Sequence, residues 1–225
     1  MKKLLGPNLT KYVNLLIERY PVLEICRQSL IDSYLVMEES FEGNHKLLVA
    51  GNGGSAADAE HIVGELMKRF KLPRPLPDEL IKRLVTIDRD MGSHLASSLE
   101  SGLTSLPLVA LEALSSAFLN DVDGLVVYAQ QLLGFGRKGD VFLGISTSGN
   151  SQNILYASVV ARALGIKVIG LTGAKGGKLA SFSDVVIKVP EYETYRIQEL
   201  HLPIYHCWCL MLEERFFGID CKTNV

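Results

Sequence analysis

Two short apolar runs, residues 46–50 and 140–145, each pass straight into a turn of glycine, asparagine and hydroxyl residues and then into a small-residue helix. Continuous apolar blocks of this length suit strands buried on both faces, as in parallel sheets. A parallel sheet in turn requires a crossover between neighbouring strands, usually a helix. Further runs at 106–111, 167–171 and 185–189 repeat the alternation, with helical segments between them. The expected fold class is therefore α/β: a three-layer α/β/α sandwich around a five-stranded parallel sheet, preceded by N-terminal helices. In such sheets ligands bind at the carboxyl ends of the strands.

The first turn is Gly51, Asn52, Gly53, Gly54 and Ser55. Glycines at a strand-to-helix turn let backbone N–H groups converge on an anion at the helix start. The same helix is expected to carry His61, Glu65 and Arg69. A spacing of four puts His61 and Glu65 on one face, with Arg69 only slightly further round. Two readings stay open on these residues alone: a common βα connection with a solvated charged face, or an anion cradle with titratable groups two turns away. The second turn runs Ser146, Thr147, Ser148, Gly149, Asn150, Ser151. A helix cap needs one hydroxyl. Four hydroxyls and a glycine favour a phosphate instead. The last helix, expected over 194–216, puts Gln198 and His206 on roughly one face, where His206 reads either as a core or interface histidine or as a ligand.

Composition sets bounds on these readings. The 225 residues suffice for one full α/β domain, preceded over 1–45 by two helices, the first capped by Asn8 or Thr10 and running to about Glu18, the second opened by Pro21 and running to about Phe41. A content of 48% hydrophobic with 21% charged residues is ordinary for a globular protein. A formal net charge of -2 gives no basic footprint for nucleic acid. Cys26, Cys207, Cys209 and Cys221 form no CxxC pair, so reduced thiols and a cytoplasmic location are expected. The N-terminus lacks a continuous apolar region and a small-residue cleavage site, so no signal peptide is expected. No apolar run reaches the ~18 residues of a membrane span.

The pair GNGGS and SxSGNS, in that order on successive βα turns, resembles the sugar isomerase (SIS) domain family. With His61, Glu65 and Arg69, and RIQELH at 196–201, the chain is similar to the phosphoheptose isomerases over nearly its whole length. That resemblance implies conversion of sedoheptulose 7-phosphate to D-glycero-D-manno-heptose 7-phosphate. It implies one zinc per subunit on His61, Glu65, Gln198 and His206. It places the phosphate on Gly53, Gly54, Ser55, Ser146, Thr147, Ser148 and Ser151, and the sugar near Asn52, Arg69, Asn120, Asp121 and Gln198. It also implies a homotetramer with sites at subunit interfaces, the N-terminal helical pair taking part. A ketose–aldose conversion needs a base on one side and an acid or Lewis acid for the developing oxyanion; Glu65 is the expected base and His206 the acid.

Two features depart from that pattern. Tyr195 stands where well-known members carry an acidic residue before RIQ, and residues 71–105 form an inserted segment. The insertion reads as a lid, an interface element, a specificity loop or a tolerated excursion, since long insertions cost little loop entropy. Asp78 is positioned to cap a helix within it, with Ile81, Leu84, Val85 and Ile87 supplying an apolar face. Alternative functions are an isomerase of another phosphosugar, or a non-catalytic SIS protein of the replication-initiator-associating type. Proteins of that type lack the matching Glu and terminal-helix His, both present here.

Overall fold

The computed structural model describes residues 5–218, so Cys221 lies outside the described residues. Five strands, β1 (Leu47–Ala50), β2 (Ser105–Pro107), β3 (Val141–Ile145), β4 (Lys167–Thr172) and β5 (Val185–Lys188), form one parallel sheet in the order β2-β1-β3-β4-β5. The expected sheet is therefore present, with the second strand shorter than its apolar run. Strand alternation divides the core between two layers. Leu47, Val49, Val141, Leu143, Ile169 and Leu171 face one cluster, while Leu48, Ala50, Phe142 and Val168 face the other.

The first layer is covered by α1 (Pro7–Arg19), α2 (Arg27–Glu42), α3 (Gly54–Met67) and α10 (Thr194–Phe217). On the second lie α7 (Val127–Phe135), α8 (Gln152–Ala163) and the short α9 (Leu179–Phe182). Helix α10 is the central strut. Its Ile204, Tyr205, Trp208, Met211 and Leu212 are almost fully buried, and Trp208 donates its indole N–H to the Leu30 carbonyl at 3.2 Å. Burial pushes the Cys26 thiol up to about 11 and the Cys207 thiol to about 12, so both stay protonated and unreactive.

Three local expectations are corrected. Neither Asn8 nor Thr10 caps α1: Pro7 opens it, Gly6 stands at the cap, and the Thr10 hydroxyl donates to the Gly6 carbonyl. The helix expected from Pro21 begins as a 3-10 segment, Pro21–Cys26, because Leu23 and Cys26 are both buried at a spacing of three. Asp78 lies just inside α4 (Asp78–Ile87), where it complements the helix dipole without capping; Asp88 does cap α5 (Arg89–Ser98), accepting from the Met91 N–H at 2.8 Å.

The insertion is thus a helical hairpin, α4 packed chiefly on α5. No α4 residue is buried, and Ile87 is 83% and Met91 64% exposed. After the hairpin, β2 leads into α6 (Glu112–Asp121).

His201 of α10 is fully buried, and neither imidazole nitrogen meets full hydrogen-bond geometry, although the Thr172 backbone is near enough to favour the protonated ring slightly. Burial holds its pKa down to about 4, against an ordinary 6.5. The unfolded chain therefore binds a proton between those values that the folded chain refuses. Stability is full above pH ~6.5 and falls by roughly 3 kcal/mol as pH drops to about 4. Urea titrations from pH 7.5 to 4 are expected to show this decline, and His201→Leu to flatten it. An unchanged slope in the variant would contradict the assignment.

Candidate active site

Strand order 2-1-3-4-5 places a topological switch point between β1 and β3, whose following helices leave on opposite faces of the sheet. The two hydroxyl-rich turns follow these two strands, so the crevice between them is where this architecture binds ligands. Asn52 and Asn153 join the turns by reciprocal side-chain hydrogen bonds of 2.9 and 2.8 Å. Tyr128 of α7 donates to the Gly51 carbonyl at 2.9 Å, fixing the first turn from behind.

Within the turns Ser55 and Ser146 are buried, and Ser146 Oγ lies 2.9 Å from Ser151 Oγ. Ser148 is exposed and its hydroxyl accepts from the Asn150 N–H, while the Thr147 carbonyl accepts from the Gly173 N–H at 3.0 Å. Gly149 has φ 65°, and a Cβ there would run into the Gly176 carbonyl oxygen. Gly149→Ala is accordingly expected to cost at least about 1–2 kcal/mol from the left-handed backbone alone, with a raised KM for substrate. Wild-type stability and KM in this variant would contradict the packing.

Helices α3 and α10 run side by side in step, Gly54 against Gln198 and His61 against Tyr205 and His206, and just past the end of α3 Phe70 meets Glu213. His61 Nε2 lies 3.4 Å from His206 Nε2 and 3.5 Å from Glu65 Oε1. Both separations are close to the ~3.3 Å edge of a tetrahedron with zinc-length bonds. Glu65 also pairs with Lys68 Nζ at 3.0 Å. Burial and the neighbouring His61 hold the His206 pKa below the ordinary value, against a smaller opposite effect from Glu65. His206 is therefore neutral near pH 7, the form in which an imidazole ligates a metal or donates a hydrogen bond to an oxyanion.

Not every expected residue joins this cluster. Gln198 lies over the start of α3, its amide nitrogen 2.7 Å from where a Cβ on Gly54 would stand, so a side chain there would push the Gln198 amide aside. Gln198 and His206 are eight residues apart on α10, a rise of about 12 Å. Among the described residues no three His, Cys, Asp or Glu side chains are arranged as a ready metal-binding group. The pairs at zinc spacing stand beside that result as pairs.

Arg69 is a correction. Helix α3 ends at Met67 and Lys68 is extended, so Arg69 leaves the His61–Glu65 face and pairs with Glu100 at 3.1 Å. Asn120 and Asp121 end the exposed α6 and bond to each other at 2.6 Å, with no hydrogen bond to either turn among the described residues. Tyr195, in the place of the family's acidic residue, is exposed and accepts from Arg196 Nε at 3.0 Å.

Sequence reasoning missed two sets of residues around the cluster. The first is a buried ion pair between Arg74, within the insertion, and Glu213, with Nε to Oε1 at 2.9 Å. Arg74 donates to the Leu66 and Glu65 carbonyls at 2.7 and 3.0 Å, and Glu213 accepts from the N–H groups of Phe70 and Lys71 at 2.7 and 2.8 Å. Together they cap the C-terminal turn of α3 and fix the backbone of Glu65. The second set is Asp58 and Tyr205, which touch His61 from behind. Asp58 had a visible signal, lying one turn before His61 on the same helix; a buried arginine between Pro73 and Pro75 had none.

The comparisons with known proteins bear on this geometry. Residues 90–173 match the SIS domain family model. A phosphoheptose isomerase from Aneurinibacillus thermoaerophilus is 42% identical over 80% of this chain and 77% of its own length, and phosphoheptose isomerase 2 of Campylobacter jejuni is 40% identical over 82% and 80%. The chain belongs to the phosphoheptose isomerase family. Solved phosphoheptose isomerases share its fold: GmhA of Neisseria gonorrhoeae at TM-score 0.67 and 30% identity, covering 89% of this chain and 95% of that one, and the Francisella tularensis enzyme at 0.72 and 27%, covering 92% and 96%. Family membership makes the chain an aldose–ketose isomerase, with a parallel sheet of the SIS type. Among the described residues no helix is long and apolar enough to cross a membrane.

Proposed function

We propose that the crevice between the β1 and β3 turns isomerises sedoheptulose 7-phosphate to D-glycero-D-manno-heptose 7-phosphate. The observation that carries this is the meeting of His61 and Glu65 from α3 with His206 from α10 beside two linked hydroxyl-rich turns. Ser55, Ser146, Thr147, Ser148 and Ser151, with the backbone at Gly53 and Gly54, receive the phosphate. Asn52 and Gln198 lie toward the sugar. Anchoring the remote phosphate uses binding energy to position the reacting end.

Glu65 takes the proton from C1 of the ketose. The electrons form the C1–C2 enediol(ate) while charge builds on the C2 oxygen, which the neutral His206 meets with a hydrogen bond or proton. Glu65 returns the proton to C2, and the C1 hydroxyl gives its own proton to His206, replacing the one passed to the C2 oxygen, as the aldehyde forms. His61, Glu65 and His206 would hold zinc, and Gln198, whose amide rests over Gly54, would complete the set by swinging its side chain toward them: two imidazoles, a carboxylate and an amide oxygen suit that ion. When bound, zinc supplies Lewis-acid polarisation of the vicinal substrate oxygens.

We also propose a cytoplasmic homotetramer. A groove of about 460 Å³ beside His206, lined by Tyr12, Leu15, Tyr20, Phe70 and Leu202, supports a neighbouring subunit covering the site. The test is incubation of purified protein with a panel of ketose phosphates, sedoheptulose 7-phosphate included, following aldose formation with and without chelator. Turnover of the heptulose phosphate above the others, lost on chelation and restored by zinc, is the expected result. No turnover of any substrate would sink the isomerase reading, and preference for another ketose phosphate would sink the substrate.

A further inference from the structure

Behind His61, on the side away from Glu65 and His206, lies a contact that the isomerisation itself does not use. The Tyr205 hydroxyl is 3.1 Å from His61 Nδ1 and 3.1 Å from Asp58 Oδ1, and the Tyr205 side chain is almost fully buried. Asp58 Oδ2 is buried with no hydrogen-bond partner among the described residues, so Tyr205 is the one hydrogen bond recorded for this carboxylate's side chain. The proton inventory then fixes the direction of the chain. An ionised carboxylate only accepts, and a phenol has one proton to give. Giving it to His61 would leave two oxygen lone pairs facing each other at 3.1 Å; giving it to Asp58 leaves the phenol oxygen free to accept.

We infer that Tyr205 and Asp58 are positioning residues that hold His61 in the tautomer protonated at Nδ1, so that its Nε2 lone pair faces His206 and Glu65. The order is His61 Nδ1–H to Tyr205 oxygen, then Tyr205 O–H to Asp58. A ring protonated at Nε2 would spend that N–H on Glu65 Oε1 or His206 Nε2, 3.5 and 3.4 Å away, and could not ligate through that nitrogen; the Tyr205–Asp58 pair on the other side is what selects against it. Metal-bound histidines are commonly oriented by such a bond from their second nitrogen, and losing it weakens metal binding about 10–100-fold. Edge contacts of the Tyr205 ring with the His61 and His206 rings, at centroid distances of 5.4 and 5.0 Å, add to the orientation. The tautomer assignment stands on the apo geometry; its consequence for zinc rests on the reading given under Proposed function.

The test uses full-length metal-free protein labelled with nitrogen-15 in histidine, at pH 8, with the His61 signals identified by their loss in His61→Gln. Two-bond proton–nitrogen correlations report which ring nitrogen carries the proton. The wild type is expected to show Nδ1–H, and Tyr205→Phe to shift the ring toward Nε2–H. Zinc affinity by chelator competition is expected to fall about 10–100-fold in the same variant. A wild-type ring protonated at Nε2, a Tyr205→Phe ring that keeps its Nδ1 proton, or zinc affinity within twofold of wild type would each overturn the inference. Wild-type protein showing the Nδ1–H tautomer but taking up no zinc supports the tautomer assignment and overturns the zinc reading instead, so the two failures are separable.

Discussion

Glu65→Gln is expected to lower kcat by about a thousandfold, within the 10²–10⁴ that a positioned general base contributes. The amide keeps the size of the side chain and its acceptor oxygen, so substrate KM is expected to stay within about threefold. The fold tolerates the change because the backbone of Glu65 is held independently, its carbonyl accepting from Arg74 at 3.0 Å. What the variant loses is the capacity to take a proton, a charged oxygen among the residues that would hold zinc, and a negative charge 3.0 Å from Lys68 Nζ, so the activity is compared at equal zinc content. The exposed Lys68 pair contributes only about 0–1 kcal/mol, so unfolding free energy should be nearly unchanged. Stopped assays with the heptulose phosphate and zinc content measured on the same samples check this. A loss of activity below tenfold would remove Glu65 from the role of base.

Glu213→Ala is expected to destabilise the chain by about 3–5 kcal/mol, the usual result of removing one partner from a buried ion pair. Arg74 and Glu213 are 0% and 1% exposed, so water does not replace the lost carboxylate. The Arg74 guanidinium would keep the Leu66 and Glu65 carbonyls and its stacking on Phe217, with no countercharge. The Phe70 and Lys71 N–H groups would lose their acceptor as well. Replacing both charges by apolar residues, as in Arg74→Met with Glu213→Met, should recover part of the loss, since the cost comes from an uncompensated charge. Urea unfolding of the single and double variants measures this. A single-variant loss under about 1 kcal/mol would show that the pair does not hold the end of α3.

The sheet was legible because its signal is local. Short buried runs such as 140–145, each followed by a turn and a small-residue helix, leave few alternatives to a parallel α/β sandwich. The two turns were legible for the same reason: the residues that shape a strand-to-helix turn are contiguous in the chain. The placement of Arg69 was misread because helical periodicity extends a face indefinitely, whereas α3 stops at Met67. What stops it is Arg74 and Glu213, the latter more than 140 residues away and brought there by α10. The hairpin character of the insertion was only half visible, since α4 showed an apolar face but nothing local marked α5 as its partner.

By itself, then, the order of residues determined the strand and helix menu, the chemistry of both turns and the set of side chains able to ligate or move protons. Tertiary structure alone decided which of those side chains meet. His61 and His206 are 145 positions apart in sequence and 3.4 Å apart in space because α3 and α10 lie in step on one face of the sheet. Asp58 and Tyr205 acquire a role only through that alignment. The physical reason is range: backbone propensity and turn geometry act over a few residues, while the meeting of two helices is set by how their apolar faces fill the space over a shared sheet.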